Sequence, residues 1–195
     1  MGSVLGLIAA LVVYSSSVVA MAAPDLRLAR RRRNRIKEQQ ALLRTQELSR
    51  ASQLRSGELA LLRGTAVPLT TQQTAEGKEV IGQRAVMQRF GVTADWTVVC
   101  DFEVDDGSGR VLVDGGSCLL ISPARTLLPG ETVLVLGVVA HRPVPAEQAS
   151  GLRTGSWRPV LVAPPNGVVL LATCDREQAA AMLPDAVPAD SPLRW

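Results

Sequence analysis

Between Val4 and Ala23 the chain carries no charged residue, and from Asp25 to Lys37 it then has seven Lys or Arg against one acid. A helix rising about 1.5 Å per residue needs roughly twenty residues to cross a ~30 Å hydrocarbon core, so the uncharged block has the length of one span. Ser15, Ser16 and Ser17 lower its hydrophobicity, although helical hydroxyls can bond back to the preceding turn. Ala20-Met21-Ala22 has the small-residue look of a cleavage site, which makes a secretory signal the alternative. Signals carry positive charge ahead of the apolar run, whereas here it follows, and positive charge beside a span stays on the cytoplasmic side. The expectation is an uncleaved anchor over residues 1–23 in an inner (plasma) membrane, with the N-terminus outside and the C-terminal domain cytoplasmic. Gly2, Gly6 and Ala10 form a small-xxx-small stripe, a route to a homo-oligomer.

The formal net charge of +3 hides the same segregation. Before Gly57 there are ten basic and three acidic residues, net +7; after it there are eleven and fifteen, net −4. Asp25 to about Ser56 has good helix formers, with Leu26, Ala29, Ile36 and Leu43 at helical spacing and the phase lost at Arg50. A basic juxtamembrane helix is expected over 24–57, closed by Gly57 just past its C-terminus. Arg30, Arg31, Arg32, Arg33, Arg35 and Lys37 are the candidate membrane-surface residues. Anionic headgroups are their physical partner, at about 1 kcal/mol per side chain, unless the cluster serves only to set topology. Nucleic acid is disfavoured, because the segment has no aromatic residue and the later domain is acidic.

Residues 58–183 read as one β-rich domain, a small OB-like barrel or sandwich, and 184–195, with Pro184, Pro188 and Pro192, as a flexible tail. Strands are expected over Glu58–Val67, Val80–Phe90, Trp96–Val104 and Val111–Val113. Three more are expected over Thr132–Ala140, Arg158–Ala163 and Val168–Thr173. Asp105-Asp106-Gly107-Ser108-Gly109 is the strongest hairpin signal, since its glycines accept backbone angles other residues resist and its aspartates can cap the turn. Pro164-Pro165-Asn166-Gly167 is a second hairpin candidate. Thr132–Ala140 is apolar on both faces, as a central strand would be, and Gly137 within it marks a bend or bulge. Asp175 with Gln178 resembles a capping box opening a helix that runs to about Leu183.

Arg63-Gly64-Thr65-Ala66-Val67-Pro68, then Trp96, then Asp101-Phe102-Glu103-Val104-Asp105-Asp106-Gly107-Ser108-Gly109-Arg110-Val111-Leu112-Val113-Asp114, and finally Leu128-Pro129-Gly130-Glu131-Thr132-Val133-Leu134-Val135-Leu136-Gly137 form a series. From about Gly57 to Val169 it resembles the GIDE domain, also called the BAM (beside a membrane) domain. The resemblance implies a β-rich module held next to a bilayer and used for binding rather than chemistry. It is to the prokaryotic type, without the second span and zinc-binding RING of the eukaryotic ubiquitin ligases. Three cysteines and one histidine, with no Cys-x-x-Cys pair, cannot build a two-zinc RING.

Catalytic signals are sparse, and no enzyme, cofactor or metal is expected. Cys100, Cys118 and Cys174 read as small buried hydrophobes kept reduced. His141, the only histidine, has no nucleophile motif beside it. Asp101, Glu103 and Asp105 alternate along one expected strand, with Asp106 and Asp114 nearby across the hairpin. They form a solvated face or, as the alternative, a hard-cation site for a metal-binding module or metal-dependent enzyme centred on Asp105 and Asp106. Gly107-Ser108-Gly109 joins two strands and so is not a phosphate loop. The candidate interaction surface is Asp105, Asp106, Trp96 and Trp157, with Phe102 also considered and core packing the first expectation for each aromatic. The function expected is a single-pass membrane-anchored scaffold presenting a β-barrel to protein partners in a membrane complex.

Overall fold

The computed structural model describes residues 33–89, 92–143, 157–165 and 167–186. The chain divides into two compact units, Met1–Gln39 and Gln40–Trp195. The span expected over 1–23, the Gly2/Gly6 stripe and Arg30, Arg31 and Arg32 lie outside the described residues. Among those described, no helix is long and apolar enough to cross a membrane. Arg33, Arg35 and Lys37 are exposed on a helix, α1, that covers 33–45.

That helix ends at residue 45 rather than near Ser56. The next residues find hydrogen-bond partners in the β-domain that a continued helix would forgo. Leu48 bridges in parallel to Leu61, the Ser49 N–H donates to Leu61 O at 2.8 Å, and Ala51–Gln53 makes a 3-10 turn. Gly57 does adopt a positive φ of 85°, in the tight turn leading into the first strand.

Five strands close into a barrel. They are β1 (Leu59–Pro68), β6 (Phe102–Asp105), β7 (Arg110–Val113), β10 (Thr132–Pro143) and β11 (Trp157–Val162). The ring runs β1-β6-β7-β11-β10 and returns from β10 to β1. Every pairing is antiparallel except β7 with β11. Counted along the chain, the ring order is first, second, third, fifth, fourth, the Greek-key order of an OB-like barrel. One parity of each strand fills the interior: Ala60, Leu62 and Ala66 of β1, Phe102 and Val104 of β6, Val111 and Val113 of β7, Val133, Val135 and Val139 of β10, and Leu161 of β11. Alternation of this kind is what makes a short sequence of valines and leucines a barrel wall.

The opposite face of β1 and β10 is buried as well, at Leu61, Leu134 and Leu136, so β10 is covered on both sides as its sequence predicts. α2 (Arg176–Ala186) packs on β8 (Cys118–Ile121). It is tied to α1 by Gln40 Nε2 donating to Ala180 O at 2.8 Å and by the Arg44–Glu177 ion pair at 3.2 Å. Among the described side chains of these two helices, Leu43, Ala179, Ala180 and Leu183 are buried. The cap expected at Asp175 is present, its Oδ1 accepting from the Gln178 N–H at 2.8 Å.

Two expected elements are rearranged. Pro164-Pro165-Asn166-Gly167 does not join a hairpin, because β11 and β12 (Val169–Ala172) both lie along β10 rather than against each other. β10 changes partner at Gly137, pairing with β12 over 134–136 and with β11 from Val138 on. The strand expected over Trp96–Val104 is broken at Cys100–Asp101. Its first part, β5 (Val92–Val99), leaves the barrel and pairs with β4 (Gly82–Arg89), which also holds β9 (Thr126–Leu127). The remaining pair is β2 (Gln72–Gln73) with β3 (Glu79–Val80).

Candidate functional site

The β6–β7 hairpin is built by side chains that accept from their own turn. Asp106 Oδ1 takes the N–H groups of Ser108 (2.8 Å) and Gly109 (3.1 Å) and the Ser108 hydroxyl (2.8 Å). Asp105 Oδ1 takes the Gly107 N–H at 3.0 Å, and Gly107 sits at φ 80°, where a glycine is needed. The hairpin tip also reaches back to the connector. Asp106 Oδ2 accepts from the Ala51 N–H at 2.7 Å, and Ser108 Oγ accepts from the Ser52 N–H at 3.2 Å.

The other carboxylates have partners of their own. Arg110 Nε meets Asp105 Oδ2 at 3.0 Å, Arg158 Nη1 meets Glu103 Oε1 at 3.4 Å, and Arg142 Nη2 meets Asp114 Oδ2 at 2.7 Å. Asp101 lies off the strand, its Oδ1 accepting from the Gly115 N–H at 2.9 Å, so the expected row of three is not one face. Among the described residues, no group of three or more His, Cys, Asp or Glu side chains is placed to hold a metal ion. Beside the hairpin lies an open groove of about 500 Å³, lined by residues that include Arg63, Thr65, Asp106, Gly107 and Thr132. Gly64 also lines it, and a Cβ there would strike the Asp105 carbonyl.

The donors around the turn set its titration. The Gly107 N–H and the Arg110 side chain hold Asp105 below the ordinary 3.8. For Asp106 burial pushes the pKa up, but the Ala51, Ser108 and Gly109 donors outweigh it and the net shift is downward. A depressed folded pKa contributes stability that is complete above the unfolded value and is lost as pH falls through the folded one. The melting temperature is therefore expected to be flat above the ordinary carboxylate value of 3.8 in this respect and to fall as the pH drops below it. Asp106→Asn is expected to show a shallower fall over that window, checked by thermal denaturation across a pH series.

All three cysteines are free and only half-buried. Desolvation, with the Asp114 and Asp101 carboxylates nearby, pushes the Cys118 thiol up, and its Sγ lies 3.4 Å from Asp114 O. Desolvation and Asp175 raise Cys174 as well. Thiolate is the nucleophile, so Cys118 is expected to be the last of the three to react with iodoacetamide at mildly alkaline pH. Mass spectrometry of the native protein over time checks this. His141 is exposed on β10 opposite Pro159.

The aromatic residues divide. Phe102 is fully buried in the barrel, while Trp96 and Trp157 are 39% and 63% exposed. Core packing, the first expectation for all three, holds for Phe102 alone. Trp157 ends β11 opposite Pro143, and Trp96 lies in β5 opposite Ala85. Val98, two residues along β5 from Trp96 and on the same face, is also exposed at 42%; apolar residues alternating in this way signal a buried strand face, so the sequence carried no signal of the exposure. Compared with protein-family models, curated proteins and solved structures, the chain finds no match.

Proposed function

We propose that this chain is a single-pass membrane-anchored interaction protein, a GIDE/BAM-type module whose OB-like barrel is offered to protein partners in a membrane complex. The observation that carries the reading is the exposed apolar pair Trp96 and Val98 on a sheet attached to a closed barrel. Large apolar side chains held in water on a rigid scaffold are characteristic of contact surfaces. The uncharged block Val4–Ala23 followed by the arginine cluster supports the anchor and its orientation, with anionic headgroups as neighbours of Arg33, Arg35 and Lys37. A metal site at Asp105 and Asp106 is not favoured, since their oxygens already accept from the turn, from Ala51 and from Arg110.

Membrane fractionation and mild-detergent purification of the full chain test this. Expected are retention in the membrane pellet after alkaline wash, release on deleting residues 1–23, and stoichiometric protein in the purified complex. Recovery of the intact chain in the soluble fraction, or of a detergent-solubilised monomer with no partner, overturns it.

A further inference from the structure

β1 is covered unevenly. β10 pairs along one edge of it from Leu59 to Thr65, and β6 along an edge from Thr65 to Pro68. Both meet Thr65, so they lie on opposite sides, and the β6 side of β1 has no named strand before Thr65 among the described residues. The connector fills that gap with a single parallel bridge, Leu48 to Leu61, and the Ser49 N–H on Leu61 O at 2.8 Å. Its next two bonds to the barrel go elsewhere. The Ala51 N–H reaches Asp106 Oδ2 and the Ser52 N–H reaches Ser108 Oγ, both at the tip of the β6–β7 hairpin.

The ends of this segment are held more firmly than its middle. Ahead of it, Leu43 is buried at 1% exposure, Arg176 Nη1 donates to Arg44 O at 3.1 Å and Gln46 Nε2 to Leu59 O at 3.2 Å. Behind it, the Gly57 N–H donates to Val139 O at 2.8 Å and the Val139 N–H to Glu58 O at 2.9 Å. Between them, Ala51 is the one buried residue of 48–53, and Leu48 is 53% exposed. A methyl group removes little apolar area from water, so the middle is held mainly by the Ser49, Ala51 and Ser52 N–H bonds. Few buried contacts and exposed hydrogen bonds mark segments that open without the rest of the fold.

We propose that residues 48–53 are a strap that opens and closes as one unit on an intact barrel, with the Asp106–Ser108 tip as its catch. The catch is a single network: the Ser108 hydroxyl donates to Asp106 Oδ1 while its oxygen accepts from Ser52, and Asp106 Oδ2 accepts from Ala51. Loss of either acceptor loosens the other bond. Ser49 lies between the catch and the fixed end of α1, so its bond to Leu61 O closes when the catch does. Closed, the strap hides the backbone edge of β1 at Leu61, which would otherwise be open to pairing with other chains. Open, it bares that edge. Asp106 also lines the groove beside the hairpin, so a change at the groove wall that withdraws Asp106 favours the open strap, and opening in turn frees Asp106. The device is an autoinhibitory contact released at the hairpin tip, and it does not rest on the interaction-module reading.

Residue-resolved hydrogen exchange of the full chain in detergent tests it, with Ser108→Ala as the first variant. That substitution removes the acceptor of Ser52 and leaves Leu61 O, the acceptor of Ser49, untouched. Wild type is expected to show Ser49, Ala51 and Ser52 exchanging with a common protection below that of the β1–β10 ladder. Ser108→Ala is expected to speed all three by about threefold or more, as the loss of one hydrogen bond implies, with the ladder unchanged. Acceleration confined to Ser52 overturns the proposal, because the bonds then act independently. Equal acceleration of the ladder overturns it as well, since the strap is then no separate unit, and so does wild-type exchange of all three at the rate of an unprotected chain. Where water replaces the Ser108 hydroxyl and that variant moves nothing, Asp106→Ala decides: Ser49 speeding up together with Ala51 supports the strap, and Ser49 unmoved in both variants overturns it.

Discussion

Gly115→Ala is expected to destabilise the domain by about 3 kcal/mol, lowering the melting temperature by roughly 6–12 °C. A Cβ on Gly115 would meet the carbonyl of Cys100 and the oxygen of Val99, all well inside 3.0 Å. These are backbone atoms of the bend where the chain leaves β5 for β6, so no side chain can swing aside. The bend is held from both directions: the Cys100 N–H donates to Ile81 O, and the Gly115 N–H donates to Asp101 Oδ1. Relief would require separating the β4–β5 sheet from the barrel strand that follows, and the expected accompaniment is faster hydrogen exchange at Cys100. Gly116→Ala serves as control, because a Cβ there meets only Asp114 Oδ1 at 3.6 Å. A normal melting temperature for Gly115→Ala would mean that the close approach is not obligatory.

Asp106→Ala is expected to cost about 2 kcal/mol. The substitution removes at once the acceptor for the Ala51, Ser108 and Gly109 N–H groups and for the Ser108 hydroxyl. Water can replace the acceptor at the exposed Ser108, but Ala51 is 8% exposed and its N–H has poorer access. The loss should therefore be uneven. Exchange at Ala51 and Ser52 is expected to rise more than exchange within β6 and β7, because the connector is released while the ladder remains. Asp106→Asn keeps one carbonyl acceptor and should fall between wild type and alanine. Chemical denaturation and residue-resolved exchange on the same samples check both statements. Equal protection of Ala51 in wild type and the alanine variant would show that Asp106 does not hold the connector.

Elements whose hydrogen bonds close within a few residues were legible. The Asp105–Gly109 turn, the Asp175 cap and the burial of both faces of β10 follow from side-chain acceptors, glycine angles and apolar periodicity that lie side by side in the chain. The exposed candidates were legible only as names. Trp96 and Trp157 were expected in the core because large aromatics are usually buried, and the domain has too few aromatics for their absence from the core to stand out. The acidic row was misaligned for a definite reason. Its alternation assumed one strand through Cys100 and Asp101, and that strand bends where the Gly115 backbone, fourteen residues beyond Asp101, comes against it.

What the sequence by itself determined is the segregation of an uncharged block, a basic connector and an acidic β-rich domain, together with most of the strands and the turn that joins β6 to β7. Closure of those strands into a five-membered ring was decided only by the tertiary structure, as were the end of α1 at residue 45 and the placing of β11 and β12 along one partner. The reason is the distance over which the deciding bonds act. The Ala51 and Ser52 N–H groups find their acceptors 55 and 56 residues away, and β1 pairs directly with β10 although the β4–β5 sheet lies between them in the sequence. Local periodicity says which face of a strand is apolar; it carries no information about which other strand will cover it.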